Sequence, residues 1–182
     1  DDNSSTLAQT LEAHILTAFK GEHQFIFELL QNANDAALEE QMIRAQFILK
    51  KCLVDGHDYL IFSHTGAHFS AQDVDKICDN GQQHYRDKSK DPEKIGYKGI
   101  GFKAVFSVSG CVHVISDGYD FRFDQEHFRA LQTGHQSYPW PIIPIANQAN
   151  DLPSEIRNLL SPLQVHFVLR IRPGLNMASE LD

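Results

Sequence analysis

Residues 27–37, FELLQNANDAA, decide the fold of this chain. Apolar side chains recur around them with the spacing of one helix face, at Ile26, Leu29, Leu30, Ala33 and Ala37. Glu28, Asn32 and Asp35 follow one another at i, i+4 and i+7, so they share a second face beside the apolar stripe. We therefore predict an amphipathic helix from about Glu22 to about Gln41.

The polar row on this helix suits a site for a metal-bound nucleotide. An amide oxygen is a ligand that Mg²⁺ accepts, and a carboxylate can orient a water molecule. A plain amphipathic surface helix produces the same pattern, because short polar rows are common. The row alone leaves both interpretations open.

A second motif, IGYKGIGFKAVF, occupies residues 95–106. Its three glycines stand in front of an apolar run of helical character, which we predict to end near Ser109-Gly110. Glycine allows close approach of the backbone to a ligand, and N–H groups that lead into a helix bind anions. Lys98 and Lys103 add positive charge, so this motif favours a phosphate site.

Together the two motifs resemble those of the GHKL ATPase superfamily, which includes gyrase, the heat-shock chaperone ATPases, histidine kinases and MutL. The first is similar to its asparagine-bearing helix and the second to its glycine-rich motif. The sacsin and No Vein branch is the more similar, through ELLQNANDA at 28–36 and GYKGIGFKAVF at 96–106. The resemblance covers about residues 20–125 well and the remainder loosely.

The resemblance implies an α+β fold, a two-layer α/β sandwich of the Bergerat ATP-binding type. Its sheet would be mixed and mostly antiparallel, with helices on one face and a lid loop over the nucleotide. Residues 1–182 would form a single domain of this kind. The cofactors that the resemblance implies are ATP and Mg²⁺.

Roles for individual residues follow from the same resemblance. Asn32 would ligate Mg²⁺, Glu28 would orient or activate the attacking water, and Asp35 would contact nucleotide or water near the base or ribose. Backbone amides facing the phosphates would come from Gly96, Gly99, Ile100, Gly101 and Phe102. Lys98 and Lys103 are candidates for phosphate pairing, with a solvated helix face as the alternative for Lys103.

The chain departs from the superfamily pattern at two places. The family strand ends in Asp-x-Gly, whose aspartate accepts the adenine amino group, but here His64 stands two residues before Gly66. A neutral imidazole can accept that hydrogen bond in a pH-dependent way, and a turn histidine without a ligand role is the alternative. The last strand lacks the usual threonine, since Gln164, Val165 and His166 occupy its start.

Other segments receive coarser predictions. We expect a helix from Ser5 or Thr6 to about Phe19, a strand over 42–53 and a hairpin partner at 59–62 across the turn Asp55-Gly56. Ser70 should cap a helix from Ala71 to about Cys78. Strands are predicted at 112–116, 119–123 and 163–172, short helices at 125–133 and 152–160, and a packed loop or edge at 134–150.

The polar stretch 79–94 is predicted to be a long loop, which in a compact domain is usually functional or disordered. Its position before the glycine motif fits a lid over bound nucleotide. An inert solvent-exposed loop is the alternative.

Composition excludes several classes of protein. Net charge is −8, from 24 acidic and 16 basic residues, which disfavours a general nucleic-acid-binding surface. Three widely spaced cysteines predict neither a disulfide framework nor a zinc site. The sequence shows no signal peptide and no run of membrane-spanning length, so we expect a cytoplasmic or, in a eukaryote, nuclear protein without membrane contact.

Three functions remain open at this point. The first is a slow, Mg²⁺-dependent ATPase that acts as a conformational switch in a longer chaperone-like or defence protein. Its partners would be nucleotide, other domains of the same chain and, on ATP binding, a second copy. The second is a nucleotide-binding pseudoenzyme, and the third is an interaction domain that kept the fold and lost the ligand.

Overall fold

The computed structural model describes residues 2–18, 24–40, 46–79, 101–133 and 137–175. The helices are α1 (Asp2–Ala18), α2 (Gln24–Glu39), α3 (Ala71–Cys78), α4 (Val105–Val108), α5 (Gln125–Ala130) and α6 (Ser154–Arg157). The strands are β1 (Gln46–Val54), β2 (His57–Thr65), β3 (Ser109–Ser116), β4 (Tyr119–Asp124), β5 (Ile145–Ala146) and β6 (Val165–Ile171). Two 3₁₀ turns complete the described elements, at Gly101–Ala104 and Trp140–Ile142.

The strands form one open six-stranded sheet in the order β1-β2-β6-β3-β4-β5. Each pairing between described strands is antiparallel, so the expected mixed sheet is wrong for this part of the chain. The last strand in the chain, β6, lies between the two hairpins β1–β2 and β3–β4 and joins them. The fold is therefore α+β.

The first hairpin confirms the turn predicted at Asp55-Gly56. Both residues have positive φ, 50° and 75°, which is what a two-residue turn between right-twisted strands requires. β1 pairs with β2 along its whole length, from Gln46 opposite Thr65 to Val54 opposite His57. β2 is longer than the hairpin partner predicted at 59–62, and its end comes back towards α2.

One face of the sheet carries the main core, and α2 packs on it. α2 buries a stripe that includes Phe25, Leu29 and Ala33, each no more than 1% exposed. The sheet meets it with Phe62 of β2 and Phe167 of β6. Burial of this stripe confirms the amphipathic helix that organised the sequence argument, with ends two residues inside the predicted ones.

The opposite face of the sheet is also covered, which corrects the expectation of helices on one face. α6 lies there, and its Ile156 packs with Tyr59, Ile61 and Val168 in a second, smaller core. These three strand residues point away from the main core because neighbouring residues of a strand alternate between faces. Both faces of the sheet carry apolar side chains, so both are packed against other elements.

Two local predictions have different outcomes. Ser70 caps α3 as predicted, and the cap is reciprocal, because its hydroxyl accepts from the Asp73 backbone while the Asp73 carboxylate accepts from the Ser70 backbone. The helical run predicted to end near Ser109-Gly110 ends at Val108, in agreement with the prediction, but it consists of the 3₁₀ turn at 101–104 followed by the single turn of α4. At Ser109 the chain has already entered β3.

Candidate functional site

α2 carries the first part of the site. Because its apolar stripe is buried against the sheet, the polar row beside that stripe lies along the edge of the core. The Asn32 side chain reaches a cavity there, together with Ala36 and Glu39 from the next turns. Asp35 is half-buried and does not line this cavity, so its predicted nucleotide contact stays a prediction.

The cavity lies between α2, the segment after β2, α3 and the sheet. Its lining is Asn32, Ala36, Glu39, His64, Ala67, His68, Phe69, Asp73, Lys76, Ile77, Phe102 and Phe167. The floor is aromatic, and the rim carries an amide, carboxylates, imidazoles and one ammonium group. Its volume is about 50 Å³, enough for a few water molecules.

The Glu28 side chain, from the helix motif, lies against Gly101, from the glycine motif. A Cβ placed on Gly101 would overlap the Glu28 carboxylate and lie 2.8 Å from its Cδ. The glycine is therefore needed at this position to leave room for the carboxylate. Burial raises the pKa of Glu28 above its ordinary value, as expected for a carboxyl group held against backbone and away from solvent.

His64 stands at the end of β2 and is buried, with 3% of its surface exposed. Its Nδ1 is buried and makes no hydrogen bond to the described residues. Burial lowers the pKa of His64 to about 4, although the Thr65 backbone opposes the shift. The imidazole is therefore neutral at pH 7, and one buried ring nitrogen in the cavity wall has no hydrogen-bonding partner among the described residues.

Gly66 fixes the chain just after β2. Its φ is +148°, and a Cβ there would lie 3.0 Å from backbone atoms of Ala36 and Ala37. The next residue, Ala67, donates its backbone N–H to the Ala36 carbonyl at 3.0 Å. Glycine lets this segment lie directly on α2, which closes one wall of the cavity and places His64 beside Asn32 in the lining.

Lys103 lies elsewhere than the sequence suggested. Its side chain is 4% exposed, so the alternative of a solvated helix face is wrong. Nζ donates to the carbonyl oxygens of Ile77 and, at 2.7 Å, of Pro141. The rings of Phe106 and Phe123 flank it, with their centroids 5.8 and 5.5 Å from Nζ. Because Nζ already donates hydrogen bonds to two carbonyl oxygens, Lys103 could pair with a phosphate only if these bonds were broken.

The remaining predicted site residues divide into two groups. Phe102 is buried, and its ring lines the cavity and packs on Phe106, Phe123 and Phe167. Gly96, Lys98, Gly99 and Ile100 lie outside the described residues, as does most of the predicted lid at 79–94. The roles predicted for this second group stay predictions.

Several cavity residues were missed by the sequence argument. Asp73 and Lys76 of α3 line it and form an ion pair at 3.0 Å. His68 lines it as well, and its Nδ1 lies 3.1 Å from the Ser116 hydroxyl. The i, i+3 spacing of Asp73 and Lys76 was a readable signal, but nothing in the sequence showed which side of α3 faces the cavity.

Two comparisons with known proteins bear on this geometry. A family model described as Sacsin domain matches residues 5–170, which is most of the chain. The chain belongs to the Sacsin domain family. The match includes the whole of α2, the end of β2, α3 and the turn at Gly101, so it covers every described element that lines the cavity.

This sacsin domain is also similar to one curated plant protein. It is 29% identical over 162 residues to Protein NO VEIN of Arabidopsis thaliana. The aligned region is 88% of this chain but 5% of the plant protein. The sacsin domain therefore corresponds to a small part of that much longer relative.

The described residues show neither a membrane-spanning helix nor a ready-made cluster of metal ligands. Within residues 2–18, 24–40, 46–79, 101–133 and 137–175, no helix has the length and apolar character needed to cross a bilayer. In the same ranges, no group of three or more His, Cys, Asp and Glu side chains is arranged to hold a metal ion. A Mg²⁺ ion that takes most of its ligands from phosphate and water does not need such a group.

Proposed function

We propose that this sacsin domain is a Mg²⁺-dependent ATP-binding domain of the Bergerat type, placed in the GHKL superfamily, with slow ATPase activity. The observation that carries the proposal is the joint position of Glu28, Asn32 and Gly101. The helix motif and the glycine motif are about 70 residues apart in sequence, yet Glu28 lies against Gly101. Two motifs with complementary chemistry thus meet beside one cavity.

The residues present fit a magnesium nucleotide. Asn32 offers an amide oxygen at the cavity wall, and an amide oxygen is a suitable single protein ligand for Mg²⁺. Bound Mg²⁺ would neutralise phosphate charge during transfer of the γ-phosphoryl group. Glu28 would orient a water molecule beside the glycine motif, where burial raises the pKa of its carboxyl group.

His64 is the proposed contact for the base. Its buried and unpartnered Nδ1 needs a hydrogen-bonding partner, and a neutral imidazole can accept from the amino group of adenine. Phe102 and Phe167 supply apolar surface in the same cavity. The base would therefore lie at the His64 end and the phosphates at the Gly101 end.

Binding without hydrolysis is the second candidate function. The ammonium group of Lys103, which follows the glycine motif directly, is engaged by two carbonyl oxygens rather than turned towards Glu28. Phosphoryl transfer relies on positive charge around the γ-phosphate. A domain that lacks such a cation in isolation would bind ATP and hydrolyse it only when another part of a longer protein supplied one.

The test is a thermal-shift and calorimetry series on the isolated domain. Mg-ATP should raise the melting temperature, because a ligand that binds the folded state stabilises it, by about 2.7 kcal/mol at a hundredfold excess over Kd. The rise should disappear when EDTA removes Mg²⁺. Hydrolysis in the wild type that is lost in Glu28→Gln supports the ATPase, and binding without turnover supports the second candidate. No shift with millimolar ATP or GTP would overturn both.

A further inference from the structure

Lys103 is a buried basic residue of the described core, 4% exposed, to which the proposed function assigns no task. Its two hydrogen-bonding partners come from different elements, Ile77 in α3 and Pro141 in the turn Trp140–Ile142. Phe102, the residue before it, and Ile77, its bonding partner, both line the cavity. The Lys103 side chain, which is not part of the lining, therefore connects the turn that carries Phe102 to α3, which carries Ile77.

α3 packs on the main core through Val74, Ile77 and Cys78 and is also attached by a hydrogen bond near each end. Before its N-terminal end, the backbone N–H of Phe69 donates to the Ser116 hydroxyl of β3 at 2.9 Å. At its C-terminal end, the Ile77 carbonyl accepts from Lys103. Between these points the helix presents Asp73, Lys76 and Ile77 to the cavity. A change at the Lys103 end would therefore move three lining residues together.

The far side of the attachment is rigid. Pro141 lies in the 3₁₀ turn next to Trp140, which is 3% exposed. The indole of Trp140 packs edge-on against Phe106 at 4.9 Å and donates its N–H to Glu12 of α1 at 2.6 Å. Lys103 thus joins α3 to a part of the core that is fixed by packing and by a charge-assisted hydrogen bond.

We propose that Lys103 is a positioning residue of the cavity, whose Nζ holds the C-terminal end of α3, and with it the α3 wall, against the turns at Gly101 and Trp140. The bonds persist in either protonation state, because a neutral amine retains two N–H groups for the two carbonyls. The consequence for nucleotide affinity rests on the function proposed above, whereas the positioning of α3 does not.

The first test is amide hydrogen exchange of Lys103→Met, with Lys50→Met on the exposed strand β1 as the matched control. Methionine leaves the carbonyls of Ile77 and Pro141 unpaired, so the amides of α3 should exchange about tenfold faster or more. The amides of α2 should change much less, because they do not depend on these bonds. Equal acceleration of α2 and α3, or none in α3, would overturn the proposal.

The second test uses the unmodified chain, in case Lys103→Met does not fold. Burial lowers the pKa of Lys103 from 10.5 to about 7, against the opposing charges of Cys78 and Asp79 at the end of α3. Opening of α3 would expose Nζ to water and raise its pKa again, so opening takes up a proton. The protection factors of the α3 amides, which are already corrected for the intrinsic exchange rate, should therefore rise between pH 7 and 9, by up to about tenfold per pH unit.

A rise of equal size in α2 and α3 would overturn the proposal, because Nζ would then be released only when the whole core opens, and not with α3. Affinity for Mg-ATP is the final measurement, and Lys103→Met should weaken it about tenfold or more. If wild type binds no nucleotide, the proposed function fails, and α3 exchange still decides the role of Lys103.

Discussion

Gly101→Ala separates the chemistry of the site from the stability of the fold. The new Cβ would overlap the Glu28 carboxylate and lie 2.8 Å from its Cδ and 3.6 Å from its Cγ. All of these atoms belong to one flexible side chain, and Gly101 does not have the positive φ that would strain alanine. The substitution therefore displaces Glu28 without deforming the backbone.

The expected change in stability is small. Moving Glu28 off its present rotamer costs roughly 0.5–1.5 kcal/mol. Alanine at an unstrained position restricts the unfolded chain and offsets this by about 0.4–1 kcal/mol. The free energy of unfolding should therefore change by less than about 1 kcal/mol, while a displaced water-orienting carboxylate should slow ATP hydrolysis by about 10²–10⁴-fold.

Urea unfolding and single-turnover hydrolysis measure the two effects separately. Gly110→Ala is the control, because its Cβ would meet Gln125 and Arg172 at 3.3 and 3.5 Å, away from Glu28. Hydrolysis at the wild-type rate in Gly101→Ala would refute the position assigned to Glu28.

Two further predictions concern the end of β2. Gly66→Ala should lower the free energy of unfolding by about 1–3 kcal/mol, because the new Cβ would lie 3.0 Å from backbone atoms of α2. Gly118→Ala is the control and should cost less, because its φ of +78° strains alanine but the Cβ would point into open space. Equal losses of stability in urea unfolding would contradict this prediction. Burial lowers the pKa of His64 to about 4, so the unfolded state binds more protons between about pH 4 and 6.5. His64 should therefore make stability fall on acidification through that range by up to about 1.4 kcal/mol per pH unit. In urea titrations at pH 4.5 and 7, His64→Phe should reduce this fall without abolishing it, because burial also lowers the pKa values of His113 and His166.

Elements with strong local signals were predictable from the sequence. The apolar stripe of α2, the Asp55-Gly56 turn and the Ser70 cap each depend on residues within a few positions of one another, and the structure confirms all three. For the site, the placement of Asn32 and His64 in one cavity wall follows from helix periodicity and from the position of Gly66 after a strand.

The parts that failed depend on contacts distant in sequence. β3 begins at Ser109, ahead of the strand predicted at 112–116, because β6, more than 50 residues later, pairs with the chain from Ser109 onward. α6 packs on the second face of the sheet because β2 and β6 carry apolar side chains on both of their faces. Lys103 looked like a phosphate ligand because a sequence shows charge but not which carbonyls a side chain meets.

The most direct test of the central claim compares Asn32→Ala with Asn34→Ala by calorimetry in Mg-ATP. Both replace an asparagine of α2, but Asn32 lines the cavity and Asn34 is exposed on another face. The account predicts that wild type and Asn34→Ala bind equally in a Mg²⁺-dependent way and that Asn32→Ala binds at least about tenfold more weakly, as for loss of a hydrogen bond or ligand at a charged group. Equal binding by the two variants, or no binding by the wild type, would contradict it.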